Sequence, residues 1–208
     1  MEEKSEALRI FKSFLKIIYE IIKTVALILL IFFIVRYFLI QPFIVDGNSM
    51  EPNFHNKDYL MVDKISYRFK QPQRGDVIIF HPPNSSIYYI KRIIGLPGDK
   101  VMIENDNIFI YNKQNPEGVE LKEPYLADNT KTMNNITQTL QENEYYVLGD
   151  NRENSSDSRE FGPITKSRFA GKAFLIVFPT SDFGAIKHQQ YIDLLTLLSP
   201  LRHLLVQN

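Results

Sequence analysis

The chain has 208 residues, 44% of them hydrophobic, with 24 basic and 24 acidic side chains and a formal net charge of zero. That length allows one core of ordinary size plus a short appendage, the apolar share excludes wholesale disorder, and the lack of clustered positive charge argues against a nucleic-acid partner. Cysteine is absent and none of the four histidines (His55, His81, His188, His203) forms an HExxH pair, so disulfides, thiolate chemistry and the usual zinc sites are excluded and neither metal nor cofactor is expected.

In chain order, residues 1–20 read as a cytoplasmic arm and residues 21–40 as a transmembrane anchor. Thr24 to Val35 reads TVALILLIFFIV, and with its flanks the apolar run reaches about 20 residues, enough for a hydrocarbon layer of ~30 Å. Lys23 and Arg36 lie near the two ends, where long side chains reach the headgroups. A buried core helix is the alternative, disfavoured by apolar residues on every side. Lys4, Arg9, Lys12, Lys16 and Lys23 precede the run, whereas Lys57 alone occurs within the twenty residues after Ile40. The positive-inside rule then puts the N-terminus in the cytoplasm and everything after Gln41 outside, with Arg36 running against it. QPFIVDGNS follows without a small-x-small site, so the segment reads as an uncleaved anchor. The expected location is a plasma (inner) membrane, crossed once; a thylakoid or other energy-transducing membrane is equally consistent with the sequence.

Residues 41–185 change to short apolar stretches bounded by turn residues. Tyr59–Ile65, Val77–Phe80, Ile87–Ile94, Lys100–Ile103, Ile108–Tyr111, Tyr145–Leu148 and Phe169–Phe178 are rich in Val, Ile, Phe and Tyr. Such spacing predicts a mostly β extracytoplasmic domain, sandwich or barrel-like. Asn105-Asp106-Asn107 marks a hairpin turn. Residues 112–143 are polar and read as a long excursion or small subdomain. The leucine-rich segment 186–208, interrupted by Pro200, is short for a span and reads as a packed or interfacial helix from Tyr191 to Val206.

Three segments bear chemistry. In Gly47-Asn48-Ser49-Met50-Glu51-Pro52, a serine between glycine and proline presents its hydroxyl and its N–H toward one point, although an ordinary turn has the same composition. In Tyr88-Tyr89-Ile90-Lys91-Arg92-Ile93-Ile94, strand alternation puts Tyr89, Lys91 and Ile93 on one face and Ile90, Arg92 and Ile94 on the other. Desolvation there lowers a lysine pKa and leaves a neutral amine, unless the lysine sits at a solvated edge. Gly149 to Arg159 (GDNRENSSDSR) is dense in short polar groups after the apolar YYVL, and a polar surface loop is the alternative.

Taken together and in this order, the segments resemble the type I signal peptidases, the leader peptidase family of Ser/Lys serine peptidases. SMEP is similar to the family's serine box, YYIKRIIGLPGD to its lysine box and GDNRENSSDSREFG to its C-terminal box. The resemblance implies removal of signal peptides from exported preproteins after Ala-x-Ala, at the lipid bilayer and near the protein-export translocon. It implies Ser49 as nucleophile, Lys91 as general base and Ser155 as the hydroxyl that orients the lysine amine. It also implies an ion pair of Asp150 with Arg92 and a second of Asp157 with Arg159, both supporting the site. Phe43, Val45, Met50, Phe54 and Ile90 are the substrate-pocket candidates by position, with core packing as the competing role for each. Two departures stand out: Asn53 replaces the threonine that usually follows the proline, and Gly47 replaces the serine that some members carry. The oxyanion hole then relies on backbone N–H groups, including that of Ser49. Three rivals remain: a self-cleaving repressor-type Ser/Lys peptidase, a Ser-His-Asp hydrolase using His55 or His81, and a membrane-anchored, non-catalytic β binding module.

Overall fold

A computed structural model describes residues 2–34, 39–83, 85–189 and 191. The chain divides into two compact units, Met1–Gln41 and Pro42–Asn208. Helix α1 (Glu2–Ile34) makes up most of the first. Its stretch Phe11–Ile34 has 24 residues and a mean hydropathy of 2.5, which is long and apolar enough to cross a membrane. This stretch differs from residues 21–40. Phe11, Phe14, Leu15, Ile17 and Ile18 carry the apolar helix N-terminally between Lys12, Lys16 and Glu20, which interrupt the run when it is read as a line. At the other end Ile40–Ile44 is a strand, β1, holding Pro42. Arg36 lies outside the described residues, as does the leucine-rich tail beyond Tyr191, where the sequence reading put a helix.

The second unit is mostly β. Strands β2 (Tyr59–Asp63), β3 (Val77–Phe80) and β4 (Tyr89–Gly95) are separated by the one-turn helix α2 (Ser66–Phe69) between the first two. After them come β5 (Lys100–Glu104), β6 (Asn107–Tyr111), β7 (Val119–Glu120), β8 (Ile136–Thr139) and β9 (Glu144–Leu148). The chain continues through α3 (Ser158–Phe161), β10 (Ile164–Thr165), β11 (Phe169–Phe178) and β12 (Gly184–Ala185). An eight-stranded sheet runs β1-β2-β11-β3-β4-β9-β10, with β12 paired to β11, and a four-stranded sheet runs β7-β6-β5-β8. Register shifts along β11 opposite β2 and β3 let the larger sheet curl.

Strands β3 and β4 are covered on both faces, so their sequences VIIF and YIKRIIG lack polar alternation. On one face Val77, Ile79 and Ile90 join a cluster with Leu60, Val62, Met50 and Phe54. On the other, Ile78, Phe80 and Ile93 pack with Tyr145, Val147 and Ile164. The smaller sheet closes a third cluster around Val101, Ile103, Ile108, Ile110 and Tyr146. Its hairpin turns on Asn105 and Asp106, with φ of 50° and 65°, the left-handed pair that a two-residue turn needs. Within residues 112–143, β7 and β8 pair with β6 and β5 and so tie this segment to the smaller sheet.

Candidate active site

Ser49 sits on the loop after β1, held by its own backbone. Val45 N–H donates to Asp58 O at 2.9 Å, and Lys57 N–H donates to Val45 O at 2.8 Å. Gly47 takes φ of +104°, a conformation that side chains disfavour, and the loop turns there. Beyond the serine, Asn53 and Phe54 N–H both donate to Met50 O at 3.0 Å, while the Met50 and Phe54 side chains anchor the loop in the core. The loop after β9 docks on it: Asn151 N–H donates to Ser49 O and Asn151 Nδ2 donates to Asn48 O, both at 3.0 Å. The approach is so close that a Cβ on Gly149 would lie 2.4 Å from Ser49 O and 2.2 Å from Ser155 Oγ, so only glycine fits.

Lys91 comes from the middle of β4, opposite Ile78 of β3. It is 3% exposed. Its Nζ lies 2.7 Å from Ser49 Oγ and 2.9 Å from Ile90 O. Burial lowers the amine pKa from 10.5 to about 8, against the upward pull of Asp157 and Asp150 and with a smaller downward push from Arg159. At pH 7 about one amine in ten is then neutral, against about one in three thousand for a lysine in water. A half-buried hydroxyl and a partly neutral amine in hydrogen-bonding contact can exchange a proton, which is what a nucleophile and its base must do.

Two buried ion pairs flank this contact. Arg92 Nε and Nη2 donate to Asp150 Oδ1 and Oδ2 at 2.8 and 2.6 Å. Arg159 Nε and Nη2 donate to Asp157 Oδ1 and Oδ2, each at 2.9 Å, and Asp157 Oδ2 also accepts Gly149 N–H at 3.1 Å. Ser155 Oγ is buried, packs beside Gly149 and has no hydrogen-bond partner among the described residues, while the amine contacts Ser49 Oγ and Ile90 O.

A groove of about 360 Å³ opens over Ser49 and Lys91. Phe43, Val45 and Ile90 line it, as their positions suggested. Met50 and Phe54 do not; both are buried beneath it in the core. Leu60, Ile79, Tyr88 and Ser156 complete the walls. Tyr88 is braced between the rings of Phe43, at 5.0 Å, and His81, at 3.9 Å. The hydrogen-bonding partner of Ser49 Oγ is thus Lys91 and neither histidine: His81 stacks on Tyr88, and His55 Nδ1 lies 3.4 Å from Asp182.

The profile of the signal peptidase, peptidase S26 family matches residues 18–178. The chain belongs to that family. A signal peptidase I of Bacillus amyloliquefaciens is 37% identical over 80% of this chain and 86% of its own length. One from Bacillus licheniformis is 33% identical over 79% and 91%. The crystal structure of a signal peptidase I from Enterococcus faecalis V583 is 34% identical, covering 50% of this chain and 97% of its own, with a TM-score of 0.42.

One feature of this signal peptidase family member escaped sequence reading altogether. Arg152 is buried, with Nη1 and Nη2 donating to Glu123 at 2.9 and 2.5 Å, Nη1 to Thr132 Oγ1 at 2.6 Å and Nε to Gly149 O at 3.0 Å. The segment 112–143 therefore braces the loop that docks on Ser49. The arginine inside the C-terminal box was visible, but a partner 29 residues away in a polar stretch carries no local signal.

Proposed function

We propose that the chain is a single-pass membrane serine endopeptidase that removes N-terminal signal peptides from exported preproteins. Neutral Lys91 takes the Ser49 proton as Oγ forms a bond to the scissile carbonyl carbon and the carbonyl electron pair moves onto oxygen. The Ser49 N–H is one donor to that oxyanion. As the tetrahedral adduct collapses and the C–N bond breaks, the Lys91 ammonium protonates the leaving amine. Water, deprotonated by the same amine, then releases the signal peptide and restores Ser49. The Arg92–Asp150 and Arg159–Asp157 pairs hold strand and loops in register without entering the chemistry. Ser155, unpaired beside Gly149, supplies a hydroxyl for the third hydrogen of the ammonium once the proton has moved.

The observation that carries this reading is the 2.7 Å approach to Ser49 Oγ by Lys91 Nζ, an amine whose pKa burial lowers to about 8. Specificity for Ala-x-Ala is supported by the groove, where Phe43, Val45, Leu60, Ile79 and Ile90 offer apolar walls and Asp46 is already paired with Lys57 at 2.8 Å. Uncharged apolar side chains suit such walls, because burying a charge against them costs free energy. Basic residues crowd the N-terminal end of the apolar helix, favouring a cytoplasmic N-terminus with the peptidase unit outside, near the translocon where preproteins emerge.

Purified protein in detergent, given a preprotein with an Ala-x-Ala site, tests the assignment. Ser49→Ala and Lys91→Arg are each expected to lose at least ~10³-fold in kcat while remaining folded, because arginine stays protonated and cannot act as base. Ready turnover by Lys91→Arg would leave the dyad without support.

A further inference from the structure

We propose that Asn53 is a positioning residue of the peptidase reaction, tying the loop that carries Ser49 to the ion pair beside Lys91. This rests on the Ser49/Lys91 reading above. Asn53 stands at the position where the serine box departs from its usual pattern, and its side-chain amide uses both hydrogens. One goes to Asp150 Oδ2 at 2.9 Å and the other to Tyr125 O at 2.8 Å. Asp150 is itself buried and chelates Arg92, the residue after Lys91 on β4. Arg92 Nη1 in turn donates to Gly75 O at 3.1 Å, and its guanidinium lies 4.0 Å from the Tyr125 ring. Asn53 thereby joins three segments that are far apart in sequence: its own serine loop, the lysine strand through Asp150 and Arg92, and the 112–143 segment through Tyr125.

The rest of the attachment shows what the amide adds. Asn151 fixes the front of the serine loop through Asn48 O and Ser49 O, while Asn53 fixes its back, four residues past the nucleophile. Met50 and Phe54 already anchor the loop in the core, and the amide adds a directional tie to the ion pair beside Lys91 that keeps Oγ and Nζ in contact. Among short uncharged side chains a primary amide satisfies Asp150 Oδ2 and Tyr125 O together, because a hydroxyl has one hydrogen. Reaction rates fall steeply when reacting groups shift by about 1 Å, by as much as ~10²-fold. Loss of the amide is therefore expected in turnover more than in substrate binding, since the groove walls lie on other residues.

The test is steady-state kinetics of the detergent-solubilised full chain on an Ala-x-Ala preprotein for wild type, Asn53→Ala, Asn53→Thr and Lys91→Arg. Thermal melts define a temperature at which each is folded. Asn53→Ala is expected to lower kcat by roughly 10- to 100-fold with KM within about threefold. Asn53→Thr, keeping one donor, is expected to recover part of that loss. A wild-type kcat in Asn53→Ala, a fall confined to KM, or no recovery in Asn53→Thr would overturn the positioning role. Should Asn53→Ala fail to fold, Asn53→Thr decides alone: lowered kcat at unchanged KM supports the role, and wild-type kcat overturns it. An active Lys91→Arg overturns the dyad, and this inference with it, by a separate measurement.

Discussion

A lysine ammonium in water keeps its proton to pH ~10.4, so an amine at about 8 has lost solvation that nothing in its pocket fully replaces. The kinetic consequence is an acidic limb in kcat/KM near pH 8, rising tenfold per unit below it, set by the neutral fraction of Lys91. The thermodynamic consequence follows from the same depression. Between about pH 8 and 10.5 the unfolded chain binds the lysine proton and the folded chain does not, so stability from this residue rises with pH across that window and the full penalty applies below it. Relative to wild type, Lys91→Met is expected to be stabilised most below pH 8, by on the order of 3 kcal/mol at most, less whatever the contacts to Ser49 and Ile90 O contribute. That advantage should shrink steadily toward pH 10.5 in denaturant titrations. Taking the difference between the two proteins cancels the buried tyrosines that titrate in the same range, and an advantage independent of pH would show that Lys91 is not the group with the lowered pKa. The pairing of Ser49 with Lys91 was legible because each lies in a long local motif. That the Ser155 hydroxyl packs beside Gly149 without a partner among the described residues was not legible, since a motif names a residue without fixing its hydrogen bonds. Met50 and Phe54 were placed in the groove by proximity to the serine, but alternation along a loop does not say which side faces the core.

Among the elements, strands buried on both faces were readable as apolar runs. Two others were not: β8 reads ITQT, and β1 contains a proline that invites a linker reading. Both are strands through pairing partners distant in sequence. The same blindness hid the work of residues 112–143, because Glu123 and Thr132 are ordinary polar residues until a buried guanidinium arrives from position 152. Side chains of Arg152 and Glu123 are 0% and 9% exposed. Glu123→Ala would strand that charge with two hydroxyls and one carbonyl, and breaking such a pair from one side costs about 3–5 kcal/mol. Equilibrium unfolding in denaturant is expected to show that loss at unchanged slope. If the segment were a dispensable insertion, the variant would unfold within about 0.5 kcal/mol of wild type, as surface substitutions do.

At the scale of the whole molecule, composition separated an apolar helix from a β unit, although the helix begins well before the uninterrupted run does, because helical spacing tolerates lysines that a linear window counts as breaks. The two units differ in what they contribute. The proposed nucleophile and base, the ion pairs and the groove walls all lie between Phe43 and Arg159, so the proposed chemistry draws no residue from α1. What the helix adds is confinement. A preprotein held in a bilayer meets an anchored enzyme at a high effective concentration and a soluble one only by encounter from bulk, and linkage of this kind commonly changes apparent affinity by 10²–10⁴-fold. Residues 41–208 released as a soluble protein are therefore expected to cleave a short water-soluble Ala-x-Ala peptide with kcat/KM within about threefold of the full chain, while cleavage of a preprotein in lipid vesicles falls by ~10²-fold or more. Comparing both substrates with both proteins separates the two contributions. Equal losses on peptide and preprotein would mean that the helix supports the fold of the peptidase unit, and equal activity on both would mean that tethering adds nothing to capture.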